Sequence, residues 1–68
     1  MENKEIITAI KTGKAKFIGE SEWEKYGAYQ VYEYENKYYS IVVYDQQSCW
    51  LMIESLQEIK KEEINQYI

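Results

Sequence analysis

Ala28 to Asp45, AYQVYEYENKYYSIVVYD, decides the fold. Two stretches dense in Tyr, Val and Ile flank a polar Glu-Asn-Lys break. That composition favours extended backbone, because β-branched and aromatic side chains pack well on a pleated surface. A short polar break between two such stretches predicts a β-hairpin. With Asn36 and Lys37 as a two-residue turn, Glu35 faces Tyr38, Tyr34 faces Tyr39, Tyr32 faces Ile41 and Tyr29 faces Tyr44.

Downstream, a second hairpin turning through Gln46, Gln47 and Ser48 brings Cys49 to Ile53 back beside the preceding strand. Glu54 and Ser55 interrupt the meander. Ser55 and Glu58 have the spacing of a capping box, and Leu56, Ile59, Ile64 and Tyr67 recur at helical spacing, which predicts a C-terminal helix from Leu56 onward.

Upstream, Ile6, Ile7 and Ile10 share a helical face, with Asn3 available as cap and Gly13 where a left-handed residue ends a helix; the predicted helix covers about 4–12. Residues 14–19 suit a short edge strand with Phe17 turned to the core. Ser21 and Glu24 form another capping-box pair, and Gly27 ends either one helical turn carrying Trp23 and Tyr26 or an irregular loop. The predicted fold is α+β: an N-terminal helix, an antiparallel β-meander of three to four strands and a C-terminal helix. No proline, repeat or low-complexity run divides the chain, so residues 1–68 form a single domain.

At 68 residues, stability is expected to lean on dense packing or on association, since a chain of this size buries only about 60% of its unfolded surface. Cys49 is the only cysteine and histidine is absent, which excludes an intrachain disulfide framework and a tetrahedral structural zinc site. No cofactor or metal is expected. No apolar run reaches the ~20 residues of a membrane span, and the N-terminus lacks the order of a signal peptide, so the expectation is a soluble, cytoplasmic protein with no membrane partner.

The formal charge is −4, with 8 Lys+Arg, every one a lysine, against 12 Asp+Glu. Residues 1–19 carry +2 from Lys4, Lys11, Lys14 and Lys16 against Glu2 and Glu5, which leaves −6 for residues 20–68. An acidic, arginine-free surface repels nucleic acid and favours basic partners, so no direct nucleic-acid binding is expected. Glu20, Glu22, Glu24, Glu33 and Glu35 either imitate a phosphate track or solubilise an apolar sheet, and the second weighs more.

Strict alternation places Tyr32, Tyr34, Tyr39, Ile41, Val43, Trp50 and Met52 on one sheet face. The other face carries Tyr29, Val31, Val42, Tyr44, Cys49, Leu51 and Ile53, with Glu33, Glu35 and Ser40 toward one end. Neither face is cleanly polar, whereas a small antiparallel sheet usually leaves one polar. Either the helices cover opposite faces, with loop residues such as Trp23 filling gaps, or both pack on one face and leave the other to a partner. The partner-binding candidates are Tyr29, Val31, Glu33, Glu35, Tyr38, Val42, Tyr44 and Leu51. Tyrosine combines a large apolar body with a polar tip and suits such a surface.

Catalysis has little to stand on: no histidine can activate Cys49, and no glycine-rich phosphate loop is present, so no catalytic residue is assigned. The Lys, Glu, Ile, Asn and Tyr bias, without Arg, His or Pro, resembles the small open reading frames of low-GC bacteria and their phages. The functional expectation is a non-enzymatic protein-binding module, foremost a phage or mobile-element inhibitor docking on a host defence or nucleic-acid-processing protein in the host cytoplasm. The alternatives are an oligomeric protein that sequesters a nucleotide between tyrosines, and a homodimer or larger homo-oligomer with a structural or regulatory role.

Overall fold

The computed structural model describes residues 3–68. The chain is α+β: helix α1 (Asn3–Lys11), strands β1 (Lys16–Glu20), β2 (Ala28–Tyr34), β3 (Lys37–Tyr44) and β4 (Trp50–Ile59), a 3₁₀ turn (Lys61–Glu63) and a short α2 (Ile64–Tyr67). The four strands form one antiparallel sheet in sequence order, so β1 and β4 are its edges. Among the described residues, no helix is long and apolar enough to cross a membrane.

α1 follows its predicted pattern. Ile6, Ile7 and Ala9 are buried, and Gly13, at φ +80°, ends the helix while the Lys14 and Ala15 amides donate back to the Ala9 carbonyl. Asn3 is already helical rather than the cap, and the position before it lies outside the described residues.

The first hairpin turns one residue earlier than predicted. Glu35 and Asn36 both take positive φ, +51° and +64°, the conformation of a tight hairpin turn matched to the strand twist. Tyr34 therefore faces Lys37, Tyr32 faces Tyr39 and Tyr29 faces Val42. Moving the turn by one residue slides the partner strand by two, and two residues is the period of a strand, so the face of every β2 and β3 side chain is unchanged.

The β3–β4 pairing departs further. Tyr44 faces Trp50, Val43 faces Leu51 and Val42 faces Met52. Opposed residues share a face, so Trp50 and Met52 lie with Tyr44, and Leu51 lies with Val43 among the residues packed on the core: the reverse of the predicted assignment. The connection is set by Asp45, whose Oδ1 accepts the Gln47 and Ser48 amides and whose carbonyl accepts the Cys49 amide.

The C-terminal helix is also shorter than predicted. β4 runs on through Ile59, with an irregularity opposite Ser40 to Val42, and helical backbone begins only after Lys60, whose amide donates to Glu63 Oε1 at 2.8 Å. Ser55 is part of the strand and caps no helix.

The two helical ends sit on opposite faces. Ile6 and Ile7 of α1 pack with Tyr39, Ile41, Val43 and Leu56, and Ile10, Trp23, Tyr32, Tyr34 and Leu51 close around this core. α2 contacts β2 from the other side: Tyr67 meets the Tyr29 ring, and Ile68 lies over Gly19, where a Cβ would come within 2.8 Å of Ile68 Cδ1. Both faces of a small sheet are thus used for packing, which answers the question raised by its two apolar sides. Phe17 is not a core residue; it is 50% exposed at the β1 edge, with its ring edge-on to Tyr32 at 5.5 Å.

Candidate functional site

α2 is only four residues long and covers the second face unevenly. Val31, opposite Ser40, is fully buried at the middle of that face, and Ile59 is buried where β4 ends. Toward the β3–β4 connection no helix follows among the described residues. Val42, Tyr44, Trp50 and Met52 occupy this uncovered end, and Tyr29, whose ring meets Tyr67 of α2, stands at its border, because Tyr29 pairs with Val42, Val42 with Met52 and Tyr44 with Trp50. Tyr29 is 42% exposed, Tyr44 40% and Trp50 59%. Three aromatic rings and two aliphatic side chains on adjoining strands form an apolar surface of the kind that marks interaction sites in small proteins.

The loop from Ser21 to Gly27 borders the patch, and its shape follows from local chemistry. Ser21 continues the β1–β2 ladder by donating its backbone amide to the Tyr29 carbonyl, and its Oγ accepts the Tyr29 amide in return. Glu24 and Gly27 exchange backbone hydrogen bonds, which closes a tight turn and leaves Tyr26 at its tip, 81% exposed. Gly27 holds φ +121°, and a Cβ there would strike the Val43 carbonyl oxygen, so only glycine fits. Between this loop and the sheet lies an open depression of about 290 Å³, lined by Glu22, Glu24, Tyr26, Tyr29 and Val42 among others.

A polar chain holds the loop from the first face. The Glu20 carboxylate accepts from Trp23 Nε1 at 2.8 Å and from Gln30 Nε2 at 3.1 Å, and the Tyr32 hydroxyl donates to Gln30 Oε1 at 2.7 Å. Trp23 thereby packs on the core while Tyr26 stays outside. Burial, then the Cys49 and Glu20 charges, push the Tyr32 hydroxyl pKa up, so it stays protonated and able to donate.

Of the predicted binding residues, the structure brings together Tyr29, Val42 and Tyr44. Val31 cannot join them because α2 closes over it, and Leu51 belongs to the opposite face beside the core. Tyr38 shares the second face but pairs with Ile59 at the far end, near half-buried Glu33 and the exposed turn residue Glu35. Trp50, Met52 and Tyr26 complete the patch in place of the residues lost. The sequence signal for the first two was Asp45, an Asx-turn residue that fixes where the second hairpin turns and hence which face Trp50 takes.

The acidic residues do not form one track. Glu20 is engaged by Trp23 and Gln30, Glu22 and Glu24 border the depression, and Glu35 sits at the opposite end of β2, ~20 Å away at the rise of an extended strand. Among the described residues, no three His, Cys, Asp or Glu side chains gather in a metal-binding arrangement, and Cys49 is an exposed thiol in the β3–β4 connection, bonded to the Gln46 carbonyl at 3.5 Å. No protein-family model, curated protein or solved structure matches the chain.

Proposed function

We propose that the chain is a non-enzymatic protein-binding module whose contact surface is the uncovered end of the second sheet face: Val42, Tyr44, Trp50 and Met52, with Tyr29 and Tyr26 at its margin. The observation that carries this reading is the uneven cover of that face. Its middle is sealed by α2, and its end displays Trp50 and two tyrosines at 40% exposure or more. Aromatic side chains of this kind dominate binding energy at interfaces because they bury large area with few rotors to immobilise.

Glu22 and Glu24 place negative charge beside the patch and suit a partner with basic groups around an apolar centre. The same carboxylates oppose the phosphates of a nucleotide, which weighs against ligand sequestration in the depression. In this proposal the chain is a small acidic inhibitor, encoded by a phage or mobile element, that docks on a host defence or nucleic-acid-processing protein.

The test is retention of host proteins from a lysate by the wild-type chain and by a Tyr44→Ala, Trp50→Ala double variant of native circular dichroism. A protein retained by the wild type and lost with the double variant supports the assignment. Equal retention by both, or none by either while a folded control protein succeeds, would sink it.

A further inference from the structure

The two sheet edges are treated differently. β1 is short, irregular between Phe17 and Gly19, flanked by Lys16 and Glu20 and touched by Ile68, all features that stop a strand from pairing with another chain. β4 carries such protection only from Glu54 onward, where a charge and the irregular segment follow each other. Its first four residues, Trp50-Leu51-Met52-Ile53, have no charge, proline or glycine. Among the described residues, their backbone bonds only toward β3 and Ser55, and Trp50 and Ile53 are 59% and 48% exposed. A bare apolar edge specifies an extended strand as its occupant, because only a strand satisfies a row of outward amide and carbonyl groups.

The geometry points to a second copy of this chain as that strand, with β4 pairing antiparallel to β4 across a two-fold axis to give one continuous eight-stranded sheet. Three observations select it. The segment is self-complementary: antiparallel partners share a face, so a two-fold pairing needs an even sum of residue numbers. The pairing centred on Met52 sets Leu51 against Ile53 of the other copy and Trp50 against Glu54, with no like charges opposed.

Neighbouring registers fail. Centring on Leu51 requires Cys49, which has φ +53° and lies outside the strand, and centring on Ile53 runs into the irregular segment after Glu54. The third observation is an open groove of about 490 Å³ along this edge, lined by Lys11, Leu51 and Ile53 among others, which receives Leu51 and Ile53 of the second copy on the core-side face. Because the axis is perpendicular to the sheet, both aromatic patches stay uncovered on one side, so a partner meets a two-fold surface.

Sedimentation velocity of the full chain from micromolar to submillimolar concentration tests the pairing, with a concentration-dependent dimer expected. Ile53→Lys puts a charge on the edge at an exposed position and should return the chain to monomer with an unchanged circular-dichroism spectrum, whereas Tyr44→Ala, off the edge, should not. In a Cys49→Ser background, Met52→Cys sits on the axis, at a separation a disulfide spans, and should oxidise to a covalent dimer; Tyr44→Cys should not. A strict monomer throughout overturns the pairing, including one whose edge binds only an added foreign strand. So does a dimer indifferent to Ile53→Lys, or one cross-linked through Tyr44→Cys and not through Met52→Cys.

Discussion

Ser55 Oγ accepts the backbone amide of Val42 at 2.8 Å and donates to the carbonyl of Met52 at 2.6 Å. Between the Val42–Met52 pair and the Ser40–Gln57 pair, β4 has more residues than β3, so its backbone cannot match each β3 amide. The serine hydroxyl takes the place of the missing carbonyl, and the strand continues past the irregularity to bury Leu56 and Ile59 on opposite faces.

Ser55→Ala removes that acceptor and leaves the part-buried Val42 amide without its partner. The expected cost is about 1–3 kcal/mol, the range for a buried donor left unpaired. Ser55→Thr keeps the hydroxyl and should recover most of it. Denaturant unfolding measures both; an alanine variant within a few tenths of wild type would show that the hydroxyl is not what holds the segment.

Ser40 presents the reverse case. Its side chain is fully buried on the second face, and its Oγ has no hydrogen-bond partner among the described residues. A desolvated hydroxyl with no compensating bond is unfavourable, so Ser40→Ala is expected to leave stability unchanged or raise it by ~1 kcal/mol. A shift of the unfolding midpoint to lower denaturant, at unchanged slope, would mean that the hydroxyl is satisfied in solution.

Much of this architecture was legible in the residues. The Ile6, Ile7 and Ile10 spacing gave α1, and the Tyr and Val stretches gave the β2–β3 hairpin with its faces right despite a displaced turn. What failed has a common cause. Serine with a carboxylate three residues on is a helix start only if the hydroxyl serves its own segment. At Ser55 it serves a neighbouring strand, a long-range contact that local spacing does not encode. The aromatic patch was half legible: β2–β3 alternation located Tyr29, Val42 and Tyr44, but placing Trp50 and Met52 depended on the length of the Asp45–Cys49 connection. Val31 was lost from the site because a four-residue helix, too short to stand out by periodicity, closes over it.

Tyr32 and Tyr39 give the fold an alkaline limit. Both hydroxyls have pKa values raised above the ordinary value of about 10: Tyr32 by burial, then the Cys49 and Glu20 charges, and Tyr39 by burial, then Glu58 and other nearby charges. A raised folded-state value means that the folded chain holds these protons more tightly than the unfolded chain. Their contribution is complete below the unfolded value and is lost as pH climbs from there through the folded values. Urea midpoints should therefore be unaffected by these two groups at neutral pH and fall above about pH 10. The Tyr32→Phe, Tyr39→Phe double variant should show a shallower alkaline fall, and an identical fall in both proteins would assign the limit to other groups.

Ile41 and Tyr44 lie on the same strand, three residues apart and on opposite faces, and they separate folding from binding. Ile41 is fully buried between α1 and the sheet, so Ile41→Ala opens a cavity and should cost about 2–5 kcal/mol. Tyr44 is 40% exposed and pairs across the strands with Trp50, away from the α1-side core. Tyr44→Ala should leave stability within about 1 kcal/mol of wild type, since exposed positions away from caps and networks tolerate truncation. The same change removes an aromatic anchor from the proposed contact surface and should weaken retention of the partner about tenfold or more. Parallel unfolding and binding measurements on the two variants decide the matter. A Tyr44→Ala chain that unfolds as readily as Ile41→Ala while binding as well as wild type would place the working surface on the α1 side of the sheet.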